Sequence, residues 1–351
     1  MKLMKSLPMI LAFLLGACAP AATTISTTSE PRTLTVMTHD SFAVSEDVVA
    51  TFEAQHNARL EFRSAGDTGT ALNKAILAKG APLADVFYGV DNTFLSRALK
   101  EDIFAPYDSS LLSQIPDSFQ LDPQNRLLPV DYGDVCLNVD LDYFRELQLP
   151  IPQTLDDLLK PEYAGLLVVT NPATSSPGLA FLMATIAQYG DPGYLEYWRT
   201  LRENHLEVVN DWESAYYTAF TRAGGTFPIV LSYASSPVFE VIYAETPLET
   251  PPTSAITSAG MCFRQVEFVG ILQGTENQDL AEKWVDFMLS TTFQEDMPLQ
   301  MFVFPVNQQA KLDERFTQHL VNPDQPASLP YEEIAAKREA WIQAWTETVL
   351  R

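Results

Sequence analysis

The chain has 351 residues, 22 of them Lys or Arg against 45 Asp or Glu, for a formal net charge of −23, and 46% of it is hydrophobic. That length suffices for two domains with substantial cores. Such acidity argues against nucleic acid or an anionic lipid surface as partner; its long-range field would favour a cationic ligand, and solubility alone accounts for it equally well.

Lys2 and Lys5 precede an apolar run at 7–15, too short to span a bilayer, that ends in Leu15-Gly16-Ala17-Cys18. This order resembles the lipobox of bacterial lipoproteins. The resemblance implies a signal peptide over 1–17 and a diacylated Cys18 as the new N-terminus. It also implies an extracytoplasmic protein, lipid-anchored to the cell membrane and on its periplasmic side where an outer membrane exists. Residues 18–32, rich in Thr, Ser, Ala and Pro without apolar periodicity, read as a flexible tether.

Residues 34–38 (LTVMT) read as a buried first strand, and Glu46–His56 as a helix with Val48, Val49 and Phe52 on one side. A second strand at 60–63, a Gly66-Asp67-Thr68-Gly69 turn, a helix over 70–78 and a third strand at 84–90 follow. Asp91-Asn92 is placed to cap the helix carrying Phe94 and Leu95. This alternation predicts an α/β fold with a parallel sheet, whose ligands sit at the carboxyl ends of its strands. Residues 38–41, 66–69 and 89–92 then share one rim. Further on, 128–137 is extended, and 166–170, Glu207–Val209 and Ile229–Tyr233 read as strands. Helices are expected over 179–188, 195–203, 214–221 and 279–290, with 301–306 extended. An amphipathic helix, Tyr331–Val349, closes the chain and carries Ile334, Trp341 and Trp345.

Two segments share one local design: Thr174-Ser175-Ser176-Pro177-Gly178 and Ser235-Ser236-Pro237 each precede a helical run. Proline is well tolerated in the first helical turn, so Ser176 and Ser236 are expected as N-caps. Plain capping accounts for either segment alone. Two such starts near strand ends also offer N–H groups and positive helix ends to an anion. A second constellation is aromatic: Tyr132, Trp212, Tyr216, Tyr217 and Tyr233 lie beside apparent strand ends, where rings line either a core or a cleft. The four histidines are scattered without HExxH, no serine sits in a G-x-S-x-G elbow, and no CxxC pair exists. Those absences favour binding over catalysis or a resident metal, and no cofactor is expected.

LTVMTHDSF (34–42), ADVFYGVDNTFL (84–95), PVDYGDVCLNVD (129–140), NPATSSPGL (171–179), DWESAY (211–216), VLSYASSP (230–237) and AAKREAWIQAW (335–345) carry a family resemblance. Over 34–351 the chain resembles the substrate-binding proteins of bacterial ABC importers, in particular their thiamine-binding branch. The resemblance implies a two-lobed, type II periplasmic-binding-protein-like α/β fold. Each lobe would be a mixed sheet flanked by helices, with two crossover strands at the hinge: lobe one 33–130 plus 268–351, lobe two 131–267. It implies a monomer, not an enzyme, that captures thiamine or a thiamine phosphate between the lobes and delivers it to a membrane permease with its ATPase.

The family's ligand contacts fall on Asp67, Thr68, Ser175, Ser176, Trp212, Tyr233, Ala234, Ser235 and Ser236, with His39, Asp91, Tyr132 and Tyr216 as additional candidates. His39 stands where the family usually has a tyrosine, and the motif around Asp67 is only loosely kept. The implied crossings, near 131–135 and 264–268, would bring Cys136 and Cys262 close enough for a disulfide. Tyr216-Tyr217 resembles the tandem tyrosines of ferric-ion-binding relatives, so Fe³⁺ held by these phenolates is the chief alternative. A hydrolase of phosphorylated vitamins is a further one, without a visible nucleophile–base pair.

Overall fold

The computed structural model describes residues 30–351, so the expected signal peptide (1–17), lipidated Cys18 and most of the tether lie outside the described residues. Its strands join one sheet. In chain order the first part is β1 (Arg32–Thr38), α1 (Glu46–His56), β2 (Ala58–Ser64), α2 (Thr68–Leu77), β3 (Val86–Asp91), α3 (Leu95–Lys100) and β4 (Phe104–Ala105). Then come β5 (Leu128–Asp140), α4 (Leu141–Glu146), β6 (Leu167–Thr170), α5 (Ser176–Tyr189), α6 (Tyr194–Glu203), β7 (Glu207–Val209), α7 (Trp212–Ser214), β8 (Ile229–Tyr233), α8 (Ser236–Ile242) and β9 (Thr253–Ile256). The chain closes with β10 (Phe263–Leu272), α9 (Gln278–Leu289), α10 (Thr291–Gln294), α11 (Met297–Gln300), β11 (Phe304–Pro305), α12 (Glu314–Gln318) and α13 (Tyr331–Val349).

The sheet runs β2-β1-β3-β10-β5-β8-β6-β7. Its two wings are parallel, β2-β1-β3 on one side and β8-β6-β7 on the other. Between them β10 and β5 pair antiparallel with each other and with both wings. β3 is buried along its whole length, as a strand covered by helices on both faces must be. The wings therefore point their carboxyl ends at the middle of the β10–β5 pair, where Glu267 lies opposite Asp91 of β3 and Tyr233 of β8 lies opposite Val135. Parallel strands bind ligands at those ends, and here two sets converge. β10 carries register shifts between Glu267 and Phe268 and between Phe268 and Val269. Such bulges bend a strand and re-aim its side chains.

Several elements depart from expectation for local reasons. Asp91 does not cap α3. Its Oδ1 accepts from the Thr93 backbone N–H (2.7 Å) and hydroxyl (2.6 Å), closing a turn, and Phe94 stands at the N-cap position. The helix expected over 214–221 is the single turn α7, capped by Asp211 at Ser214 N (2.7 Å), followed by a π-turn, Ala215–Ala219. Only Phe304–Pro305 of the expected extended stretch at 301–306 is strand. Just before it Phe302 holds φ 58°, a left-handed conformation rare for a bulky side chain. The closing helix, expected with lobe one, packs on α6 of the second wing. Trp345 meets Trp198 edge-on at 5.4 Å, and the Trp341 indole donates to Asp191 (3.0 Å), because its indoles find apolar cover there. Arg338 reaches back, over the Phe94 ring at 4.2 Å.

Cys136 of β5 and Cys262, just before β10, form a fully buried disulfide that closes a separation of 126 residues. Cross-linking so long a segment restricts the unfolded chain, which stabilises a protein by about 2–4 kcal/mol. The Cys136→Ser/Cys262→Ser double variant is therefore expected to melt several degrees lower by calorimetry, with its ligand affinity largely retained.

Candidate functional site

Where the wings converge lies a cleft that opens to solvent at its mouth. Three helix starts meet at its floor. Asp67 begins α2, and its Oδ1 accepts from Thr68 N at 2.6 Å. The same oxygen accepts from Ser176 N at the start of α5 (3.3 Å), and Oδ2 accepts from Trp212 N at the start of α7 (3.2 Å). One carboxylate from the first wing thus caps two helical starts of the second. Gly69 N adds a bond to Thr174 O (3.0 Å), and a Cβ at Gly69 would stand only 2.8 Å from Ala173 O. Burial pushes the Asp67 carboxyl up to about 7, against the opposing pull of its hydrogen bonds.

This arrangement corrects the capping expected of the Ser-Ser-Pro segments. Ser175 and Ser235, not Ser176 and Ser236, occupy the N-cap positions, and neither caps with its side chain. The Ser175 hydroxyl donates to Thr170 Oγ1 (2.9 Å) and the Ser235 hydroxyl to Phe302 O. Ser176 and Ser236 are the first helical residues. Ser176 Oγ donates to Asp91, and Ser236 Oγ accepts from Tyr233 N (3.1 Å) while sharing a hydrogen bond with Ser232 (2.7 Å).

The wall beside Ser236 is aromatic. Trp212 stacks on Tyr216 with ring centroids 5.2 Å apart and planes 15° from parallel. Tyr217 stands edge-on at 5.3 Å and Tyr233 at 6.4 Å. The indole N–H donates to Ser232 Oγ at 3.0 Å, fixing the ring in its plane. The Tyr216 hydroxyl donates to Glu240 (2.7 Å), and burial, then that carboxylate, hold its pKa far above that of an ordinary phenol. The carboxyl groups on the cleft wall are Asp67 and Glu267, and no lysine or arginine is among its described lining residues. His39 also lines it, buried and with Nε2 unbonded, and burial lowers its pKa to about 4, so it is neutral at pH 7.

Residues 81–325 match the family described as bacterial extracellular solute-binding protein. The chain belongs to that family. A "Thiamine-binding periplasmic protein" of Escherichia coli is 30% identical over 323 residues, covering 91% of this chain and 94% of the relative. Among solved structures, a "Periplasmic thiamin binding protein" superposes with a TM-score of 0.80 at 27% identity, covering 92% and 97% of the two chains. A "Ferric binding protein from Campylobacter jejuni" shares the fold at 16% identity and a TM-score of 0.72, covering 90% and 99%. This solute-binding protein therefore has the type II periplasmic-binding-protein fold and an extracytoplasmic place of work.

Of the residues singled out in the sequence of this solute-binding protein, His39, Asp67, Thr68, Ser176, Trp212, Tyr216, Tyr233 and Ser236 line the cleft. Ser175, Ala234, Ser235 and Asp91 sit behind its wall, buried. Tyr132 is part of the packing, stacked between Phe119 (5.0 Å) and Phe304 (5.1 Å). Sequence reading missed Glu267 and the 300–303 loop. The loop lacks any periodic signal. Glu267 sits in an apolar strand, where one carboxylate amid VEFVGIL was itself a sign.

Proposed function

We propose that this protein captures thiamine, or a phosphate ester of it, in the cleft and passes it to a membrane permease with its ATPase, acting as the binding component of an ABC importer. The observation that carries the reading is the Trp212–Tyr216 stack with Tyr217 and Tyr233 set edge-on beside it, in a cleft whose charges are carboxylates. Tyr216 braces one face of the indole, leaving the other for a flat, positively charged heterocycle. The Thr68 and Ser176 hydroxyls donate to Gly89 O (2.9 Å) and to Asp91, so with Ser236 they offer hydroxyl oxygens that accept from the hydroxyl of the ligand's tail.

The strands β5 and β10 serve as the hinge, with 33–130 and 268 to about 323 in lobe one. Residues 131–267 form lobe two, joined by α13 through its packing on α6. The Asp67 and Gly69 bonds then describe a closed clamp. Cys18 carries the lipid, so Cys18→Ala is expected to incorporate no labelled palmitate. The protein works as a monomer and catalyses no reaction on its ligand, so thiamine phosphates incubated with it should release no phosphate.

Calorimetric titration with thiamine, its mono- and diphosphate, and Fe³⁺ tests the reading. Saturable heat with the organic ligands and no red-purple colour with Fe³⁺ is expected, because the Tyr216 proton is held against ionisation by burial and Glu240. Colour with Fe³⁺ and silence with thiamine would reverse it.

A further inference from the structure

Buried carboxylates cross the middle of the sheet. Asp91, Glu267 and Asp131 lie opposite one another on β3, β10 and β5, at 0%, 6% and 0% exposure. Of the three, only Glu267 lines the cleft. We propose that Glu267 is the counter-charge for a cationic ligand, and that its neighbour Asp131 keeps a proton on it until the cation arrives, so that binding expels that proton. This rests on the cation-binding reading above and adds the residue that recognises the charge.

The geometry requires a shared proton. Tyr88 OH lies 2.6 Å from Asp131 Oδ2 and 3.2 Å from Glu267 Oε2, yet a phenol donates one proton to one acceptor at a time. Asp131 Oδ1 has no partner. Groups facing Glu267 are Tyr88 and Asp91 on β3, Asp131 on β5, His39 after β1, Tyr233 at the end of β8, and Asp67 across the cleft. None is a permanent cation. His39 Nε2 is 3.7 Å from Glu267 Oε1 but is neutral. Arg264, on the same strand, is held by Asp134 at 3.0 and 2.8 Å. Two adjacent carboxylates without a cation do not both ionise, so the pair holds one proton near neutrality. Burial and the Asp131 charge both raise the Glu267 pKa.

A cation beside Glu267 Oε1 supplies the missing charge. The carboxyl proton leaves to solvent, the carboxylate pairs with the ligand, and no bond to carbon changes. Because a proton leaves on binding, affinity rises with pH, by up to about tenfold per unit while the free protein holds the proton, and levels off above that window.

The test is thiamine calorimetry on the mature chain in buffers of different ionisation enthalpy, compared with Glu267→Gln. Asp67 titrates in both proteins, so the difference isolates Glu267. The wild type is expected to release about one more proton per ligand than Glu267→Gln, and to bind at least about tenfold tighter at pH 8. Asp131→Asn is expected to release less than the wild type while binding tighter at acidic pH, since loss of the Asp131 charge removes part of what holds the proton on Glu267 and leaves burial as the chief remaining cause. It carries the test should Glu267→Gln fail to fold. Binding with the same proton count in wild type and variants overturns this inference alone. No thiamine binding by the wild type overturns the cation reading and this inference with it.

Discussion

Trp212→Ala is expected to lower thiamine affinity about 30- to 100-fold by calorimetry, with Trp212→Phe recovering much of the loss. An aromatic contact contributes about 0.5–1.5 kcal/mol, and a cation over an indole in a desolvated site about 2 kcal/mol. The two overlap in one ring contact, so together they come to about 2–2.7 kcal/mol, or one and a half to two decades of affinity. The site supports the upper end because the indole is held before ligand arrives. Tyr216 lies parallel beneath it, and Ser232 accepts its N–H, so little ordering is left to do on binding. Unchanged affinity in Trp212→Ala would remove the stacking wall from the account.

Asp67→Ala is expected to weaken binding about 100-fold and to leave the unliganded chain more open by small-angle scattering. The carboxylate receives the Ser176 and Trp212 backbone N–H groups across the cleft, and hydrogen bonds to a charged acceptor contribute about 1.5–3 kcal/mol each. Losing two such bonds would exceed the loss expected here, because water reaches the freed N–H groups once the cleft opens. A second signature is pH dependence. Burial raises the folded-state pKa to about 7 from the ordinary 3.8, so folding takes up a proton between those values. Stability therefore falls as pH rises from about 4 to about 7 and flattens above, and Asp67→Asn should show a shallower fall in melting temperature across that window.

Much of the architecture was legible in the chain because its signals are local. Glu46–His56, Glu207–Val209, Ile229–Tyr233 and Tyr331–Val349 have the bounds that apolar spacing indicates. The turn at 215–219 was not, since its widened hydrogen bonding depends on Asp211 and on Trp212 N being drawn to Asp67, a residue 145 positions away. The serine caps were misassigned for the same kind of reason. Ser176 and Ser236 look like ordinary caps in sequence, but they are the first helical residues; Ser175 and Ser235 take the cap positions with their hydroxyls claimed by Thr170 and the Phe302 carbonyl, and a distant aspartate serves α5 instead. Cleft residues such as Trp212 and Tyr233 could be named from a strand ending beside them. Glu267 stands out in sequence as a lone carboxylate in an apolar strand, but its place beside Asp91 and Asp131 needed the pairing of β10 with β3 and β5, which only folding reveals.

The bond between Cys136 and Cys262 bears on how the molecule can move. It staples the two central strands just beyond the stretch where Glu267 faces Asp131. Below that staple they cannot slide along each other or untwist, so they behave as a single ribbon. Bending of the pair is left to the few residues between staple and bulge, so the two wings of the sheet share one flexible joint.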